Sequence, residues 1–152
     1  MENQGNIRVR TVEIDQIIDL RHRILRVGLP RSAAVFSGDD AADAIHLAAY
    51  HGEALVGCAS LHRRPPHEYQ LRGMAVDSEL QRHGIGGALL AEAERLAARS
   101  GAKAIWANCR TPAVPFYQKH GWEIISDEFL IETAGPHRKM RKSLTPCGFG
   151  GC

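Results

Sequence analysis

At 152 residues the chain suffices for one domain whose core needs no disulfide or metal staple. Its 44% hydrophobic and 24% charged residues exclude a disordered or fibrous chain, and a net charge of +2 lacks the concentrated basic face that nucleic-acid binding wants. No apolar run approaches the ~18–20 residues of a membrane span, and Met1-Glu2-Asn3-Gln4-Gly5-Asn6 shows no basic start leading into an apolar stretch, so no secretory signal is read and the expected compartment is the cytoplasm.

The cysteines form no framework. Cys58 and Cys109 lie in apolar, strand-like runs and are expected as buried thiols; Cys147 and Cys152 lie in a Gly-rich tail. His46, His51, His62 and His67 fall in or beside adjacent strands, but at no ligand-like spacing, so no metal is expected.

In chain order, residues 7–12 alternate and are β-branched, which predicts a strand. Ile14, Ile17, Ile18, Arg21 and Leu25 recur at helical spacing and predict an amphipathic helix over 14–26, ended by Gly28 and Pro30. Residues 30–42 are polar, with Ser37-Gly38-Asp39-Asp40 at their centre, and read as a loop or a loop with a short helix. Residues 45–50 and 54–61 are two strands joined by a tight hairpin at His51-Gly52-Glu53. Arg63-Arg64-Pro65-Pro66 breaks the pattern, because proline donates nothing to a ladder, and 68–76 is the next strand.

Ile85, Leu89, Ala93, Leu96 and Ala97 then line one face of a helix that Ser100-Gly101 stops. Residues 104–109 form a strand parallel to 68–76, since a helix crossover separates them. Residues 113–120 form a short helix with Pro115 in its first turn and Gly121 at its end. The last strands are expected over 122–131 and 139–143. One domain is expected over 1–145, with 146–152 a flexible tail. This order predicts an α/β (α+β) fold: a mixed, mostly antiparallel sheet of about six or seven strands with a central βαβ crossover and helices on both faces.

Between the strand ending Met74-Ala75-Val76 and the long helix stands Gln81-Arg82-His83-Gly84-Ile85-Gly86-Gly87. A glycine-rich turn opening a helix offers N–H groups without intrahelical partners at the positive end of a dipole, which suits an anion. It is no P-loop, since Gly86-Gly87-Ala88 stands where Gly-Lys-Ser/Thr is needed. It is no dinucleotide fingerprint either: Leu89 takes the place of the last glycine or alanine, seven residues separate Val76 from Gly84, and antiparallel strands precede it. A turn that serves close packing alone is the other reading.

Gln81 to Gly86 fits Q/R-x-x-G-x-G/A and resembles the acyl-CoA pyrophosphate loop of the GNAT N-acetyltransferase superfamily. Downstream, Asn108 and then Ala113-Val114-Pro115-Phe116-Tyr117-Gln118-Lys119-His120-Gly121-Trp122 resemble that family's N…A-x-x-F-Y-x-K-x-G-F segment, with Trp122 for the usual Phe. The expected strand order is also similar to the GNAT order. The resemblance covers about residues 7–144 and is strongest over 68–122. Gly135-Pro136-His137-Arg138-Lys139-Met140 is similar to a stretch of small bacterial members of the ElaA-like and YjcF-like kind.

The resemblance implies a GNAT fold and an N-acetyltransferase with acetyl-CoA as co-substrate and no metal. Its partner would be a small-molecule or peptide amine acceptor, with no nucleic acid or membrane, and the chain a monomer or homodimer. Backbone N–H groups over Gln81, Arg82, His83, Gly84, Ile85, Gly86 and Gly87 would hold the pyrophosphate. The backbone of Met74, Ala75 and Val76 would pair with the pantetheine arm as an added strand, one N–H facing the thioester oxygen. Asn108 would bind the pantetheine and Phe116 cover it. Tyr117 would protonate the departing thiolate. The family often places a glutamate base where this chain has Gln70, which cannot take a proton. Glu68, two residues away on the same face, could act through water, or the amine could bind neutral with no dedicated base. A non-catalytic acetyl-CoA-binding sensor, against which Tyr117 argues, and a GNAT protein using a longer acyl group are the alternatives.

Overall fold

The computed structural model describes residues 7–77, 84–132 and 134–144. Among these described residues eight strands and three α-helices run in the order β1 (Ile7–Val12), α1 (Ile18–Leu25), β2 (Ile45–His51), β3 (Ala54–Arg64), β4 (Glu68–Val76), α2 (Ile85–Arg99), β5 (Ala104–Arg110), α3 (Val114–Lys119), β6 (Glu123–Ile124), β7 (Phe129–Ile131) and β8 (Gly135–Ser143). The fold is a mixed α/β one whose sheet has the strand order β1-β2-β3-β4-β5-β8-β6, with β7 paired to β8. The chain divides into two compact units. One runs to Arg63 and takes in Leu71–Arg95; the other takes Arg64–Gln70 and runs on from Leu96. Strand β4 thus belongs to both.

In the first unit β1, β2 and β3 form an antiparallel meander, with an irregularity between Ala49 and Tyr50. Gly52 turns the β2–β3 hairpin at φ 63°, in the left-handed region that glycine adopts without a Cβ penalty. The helix expected over 14–26 begins as a 3₁₀ turn, Ile14–Gln16, and becomes α-helical only at Ile18. Its apolar stripe is buried: Ile17 and Leu20 join Ala48, Cys58 and Ala75 in one core cluster. Strand residues alternate faces, so Gly57 points away from that cluster. A Cβ there would lie 2.9 Å from Ile85 Cγ2 and 3.0 Å from Leu89 Cδ1. Glycine at 57 therefore lets α2 approach β3 closely, and α1 and α2 pack on opposite faces of β3.

In the second unit β4 and β5 are parallel over Glu68–Gln70 and Ala104–Trp106, and β8 runs antiparallel to β5 along its whole length. Two differences from the sequence expectations have local causes. Strand β3 continues to Arg64, because Arg63 and Arg64 retain their N–H groups and the break falls only at the prolines. The strand expected over 122–131 is two short ones. Between them Ser126 replaces a backbone acceptor with its side chain: Lys139 N donates to Ser126 Oγ at 2.8 Å while Ile125 N donates to Lys139 O at 2.8 Å. The final strand also starts at Gly135, four residues earlier than expected, with Pro136 placed opposite Leu130.

Both α2 and α3 end in the same hydrogen-bond motif. Ala102 N donates to Ala97 O and Gly101 N to Ala98 O, each at 3.0 Å. Trp122 N donates to Tyr117 O at 3.1 Å and Gly121 N to Gln118 O at 3.0 Å. These are Schellman closures with glycine in the left-handed position, at φ 88° and 91°. No heavy atom lies within 4 Å of a Cβ built on Gly101, so Gly101→Ala isolates the backbone penalty. It should cost about 1 kcal/mol and lower Tm by about 2–4 °C in a calorimetric scan; an unchanged Tm would mean that the closure does not depend on glycine.

Candidate functional site

The residues singled out for the acyl donor lie mainly in the first unit. Gly84 leads into the 15-residue helix α2, and its carbonyl accepts the Ala88 N–H at 3.0 Å. The N–H groups of Ile85, Gly86 and Gly87 therefore precede the first closed helical turn, where no intrahelical acceptor exists. No acidic residue stands in that turn, and Gly84 is exposed at φ 82° with open space around it. These features fit an anion at the helix N-terminus. Gln81, Arg82 and His83 lie outside the described residues.

The end of β4 meets the same place. A Cβ on Gly57, which touches Ile85 and Leu89, would lie 3.3 Å from the Ala75 carbonyl oxygen, so Ala75 and the first turn of α2 flank one glycine. Asp77 N donates to Val56 O at 2.8 Å and fixes the strand end. Three residues before Val76, Gly73 has φ 64°, an irregular conformation inside a strand that needs glycine.

Beneath Gly73 lies a polar network that sequence reasoning missed. Arg21, fully buried, donates through Nη1 to Asp39 Oδ2 at 2.7 Å and to Ala34 O at 2.8 Å, and through Nη2 to Ser60 Oγ at 2.7 Å. Ser60 Oγ lies 2.7 Å from His46 Nδ1, and His46 Nε2 donates to Asp39 O at 2.9 Å. His62 Nε2 donates to Asp39 Oδ1 at 2.9 Å and Phe36 N to Asp39 Oδ2 at 2.7 Å. Burial alone would raise the Asp39 carboxyl, but the hydrogen bonds from His62, Arg21 and Phe36, with the Arg21 charge, hold it well below the usual carboxylate range. Arg21 also stacks on Phe36, 4.0 Å from guanidinium carbon to ring centroid, and Arg72 approaches the same ring at 4.5 Å. A Cβ on Gly73 would meet Arg21 Nε at 2.8 Å, so Arg21 excludes a side chain there. Cys58 Sγ lies 3.7 Å from the Gly73 carbonyl oxygen, and burial pushes its thiol up to about 11 against the pull of Arg21.

The network accounts for two of the four histidines: His46 and His62 are buried hydrogen-bonding groups, whereas His51 and His67 are exposed. Among the described residues no group of three His, Cys, Asp or Glu is arranged for a metal ion. The signal for Arg21 was available, since a charged residue sat in an apolar helical stripe. Asp39 had none beyond a polar loop.

In the second unit α3 carries Phe116 and Tyr117. Tyr117 is 7% exposed and packs edge-on against Trp122 at 5.1 Å between ring centroids, and Phe116 meets Tyr117 at the same distance. Its hydroxyl lies beside the buried Cys109 thiol, whose Sγ donates to Ala107 O at 3.8 Å. Burial first, then the neighbouring Cys109, raises the Tyr117 phenol above its ordinary range. Burial pushes the Cys109 thiol up to about 12, against the pull of the Tyr117 hydroxyl. Asn108 is exposed, on the face of β5 opposite Cys109. Glu68 is tied to Arg141 at 3.2 Å and stands level with Ala104, five residues before Cys109. At ~3.3 Å per residue it lies about 16 Å along the ladder from the level of Tyr117's contact. Gln70 accepts from Arg64 Nε at 3.0 Å.

The family described as Acetyltransferase (GNAT) family matches residues 14–122. The chain belongs to that family. The GNAT match spans β4, the turn before α2 and the Asn108–Trp122 segment. The chain is similar to YitI, an uncharacterized N-acetyltransferase of Bacillus subtilis (strain 168), at 30% identity over 144 residues, covering 91% of this chain and 97% of YitI. Its fold is similar to that of Escherichia coli ElaA (TM-score 0.77, 16% identity, 90% of this chain and 99% of that one). It is also similar to an aminoglycoside 6'-N-acetyltransferase complexed with coenzyme A (TM-score 0.76, 18% identity, 93% and 99%).

Asp39 offers a direct test of the network. Its depressed carboxyl contributes stability in full above the unfolded carboxylate range, near pH 4, and loses it as pH falls through the folded value. Asp39→Asn should therefore lower unfolding free energy at pH 7 by about 3 kcal/mol, through an unpaired buried Arg21, and weaken the loss of stability below about pH 4. Urea unfolding at pH 7 and at acid pH measures both; parallel acid slopes in the two proteins would remove Asp39 from this role.

Proposed function

We propose that the chain is an acyl-CoA-dependent N-acetyltransferase. It moves an acetyl group from acetyl-CoA to the primary amine of a small molecule or peptide by direct attack, with both substrates bound. Membership of the GNAT family carries the reading, and the open helix N-terminus at Gly84 supports it.

The N–H groups of Ile85, Gly86 and Gly87, with the Gln81–His83 stretch, hold the pyrophosphate. The backbone of Met74, Ala75 and Val76 accepts the pantetheine arm as an extra strand, and the N–H of Ala75 or Val76 stabilises charge on the thioester oxygen. Asn108 contacts the pantetheine and Phe116 covers it. Tyr117 gives its proton to the sulfur as the carbon–sulfur bond breaks. Burial and Cys109 raise the phenol above its ordinary range, so it holds its proton before the thiolate forms. Cys109, held as a thiol, is no competing nucleophile.

Incubation with acetyl-CoA, a panel of amines and a thiol reporter should show amine-dependent release of CoA; binding of acetyl-CoA without release for any amine would leave a sensor instead. Tyr117→Phe should lower kcat about 100-fold and leave the acetyl-CoA Kd within twofold by calorimetric titration. An unaltered kcat would take Tyr117 out of the chemistry.

A further inference from the structure

Gly73 holds φ 64° within β4, directly before the Met74–Val76 backbone. Glycine inside a strand marks a bulge or a close approach, and here groups from α1, the loop after it and β3 close around it. On one side stand Arg21 Nε and Phe36 Cε2, 2.8 and 3.0 Å from where a Cβ would lie. At the carbonyl, Cys58 Sγ donates to Gly73 O at 3.7 Å. Burial pushes that thiol up to about 11, so it keeps the hydrogen it donates. A trans peptide is planar, so a fixed Gly73 carbonyl also fixes the Met74 N–H, which points the opposite way.

Arg21 stands there at a cost to stability. Its Nε is buried and, among the described residues, has no hydrogen-bond partner, and an unpaired buried donor is destabilising. The other two nitrogens are engaged, Nη1 by Asp39 and the Ala34 carbonyl and Nη2 by Ser60, so Nε cannot turn toward another acceptor without breaking those bonds. Asp39 holds the ring as well: its Oδ2 accepts the Phe36 N–H at 2.7 Å, and the Arg21 guanidinium stacks 4.0 Å from the Phe36 ring centroid. One carboxylate thus fixes both groups that crowd residue 73. The N-terminus of α2 has a different support, Gly57, where a Cβ would meet Ile85 and Leu89.

We infer that Arg21 and Phe36 are positioning residues for the acyl donor: they hold the peptide at Gly73 and through it aim the Met74–Val76 backbone at the pantetheine arm. The inference rests on the acetyl-CoA reading. An added chain pairs with a strand only where the strand's N–H and C=O groups point at it. Rotation of the Gly73–Met74 peptide therefore weakens the pantetheine bonds and turns the following N–H groups away from the thioester oxygen. The pyrophosphate, held by N–H groups at the start of α2, does not feel that rotation.

Arg21→Met alone would leave Asp39 buried without its counter-charge, so the variant to make is Arg21→Met together with Asp39→Asn. Titration calorimetry with two probes reads the effect: acetyl-CoA, and the nucleotide half of CoA, a phosphoadenosine diphosphate without pantetheine. The double variant should bind acetyl-CoA about 10-fold more weakly, as for the loss of one or two hydrogen bonds, and the nucleotide half within twofold of the unaltered chain. Phe36→Leu, which keeps the Arg21–Asp39 pair, should show the same split and carries the test if the double variant does not fold. An acetyl-CoA Kd within twofold of the original in a variant that melts cooperatively, or equal weakening of both probes, overturns the positioning role alone. An unaltered chain that binds neither probe overturns the acetyl-CoA reading and the positioning role with it.

Discussion

Arg21 leaves α1 from its apolar stripe and enters a space closed to water, where it meets Asp39 at 2.7 Å. A buried guanidinium needs a well-placed counter-charge and acceptors. Here the partners come from every neighbouring element: Ala34 and Asp39 from the loop after α1, and Ser60 from β3. His46 on β2 and His62 on β3 complete the circuit around Asp39. These bonds tie the helix, the loop and two strands to one another, although among the described residues Arg21 Nε and His62 Nδ1 are buried with no hydrogen-bond partner.

The consequence reaches β4. Arg21 Nε crowds the space over residue 73, and the backbone there takes φ 64°, so two independent constraints demand glycine. An irregular residue inside a strand re-aims the residues after it, here Met74, Ala75 and Val76. A second glycine, Gly57, acts from the neighbouring strand: it removes the side chain that would hold α2 away, and brings Ile85 beside the Ala75 carbonyl. A strand end with a defined direction and a helix N-terminus with free N–H groups are thus set by two glycines and one buried arginine.

The periodic parts of this arrangement were legible in the sequence. Alternation marked β1, the hairpin at Gly52 marked β2 and β3, the apolar face of α2 marked the crossover, and Gly101 and Gly121 marked the ends of two helices in the positions they occupy. The features that escaped share a physical character: they depend on pairs distant in the chain. Arg21 and Asp39 are 18 residues apart and Arg21 and Ser60 are 39 apart, and no local pattern links them. Gly57 reads as an ordinary strand residue until the helix that crosses it is known. The break after Ile124 depends on a serine side chain taking a backbone role against Lys139, which propensity does not encode. Pro136 argues against a strand, yet β7 pairs across it for only three residues.

The placement of Tyr117 follows the same logic on a smaller scale. Helix α3 has six residues, too few to be stable by propensity, so its phenol cannot owe its position to the helix itself. Three contacts hold it instead. The Schellman closure brings Trp122 back to the Tyr117 carbonyl, and the hydrophobic contact that accompanies such a closure is here Tyr117 on Trp122. The Cys109 thiol meets the hydroxyl from β5. Lys142 on β8 caps the end of the helix by donating to His120 O at 2.9 Å. The tryptophan that departs from the family's usual phenylalanine stands in the second half of that closure, where a larger ring offers Tyr117 more surface. A proton donor must keep its proton and its position through turnover; in this chain burial and the thiol serve the first need, and the helix end serves the second.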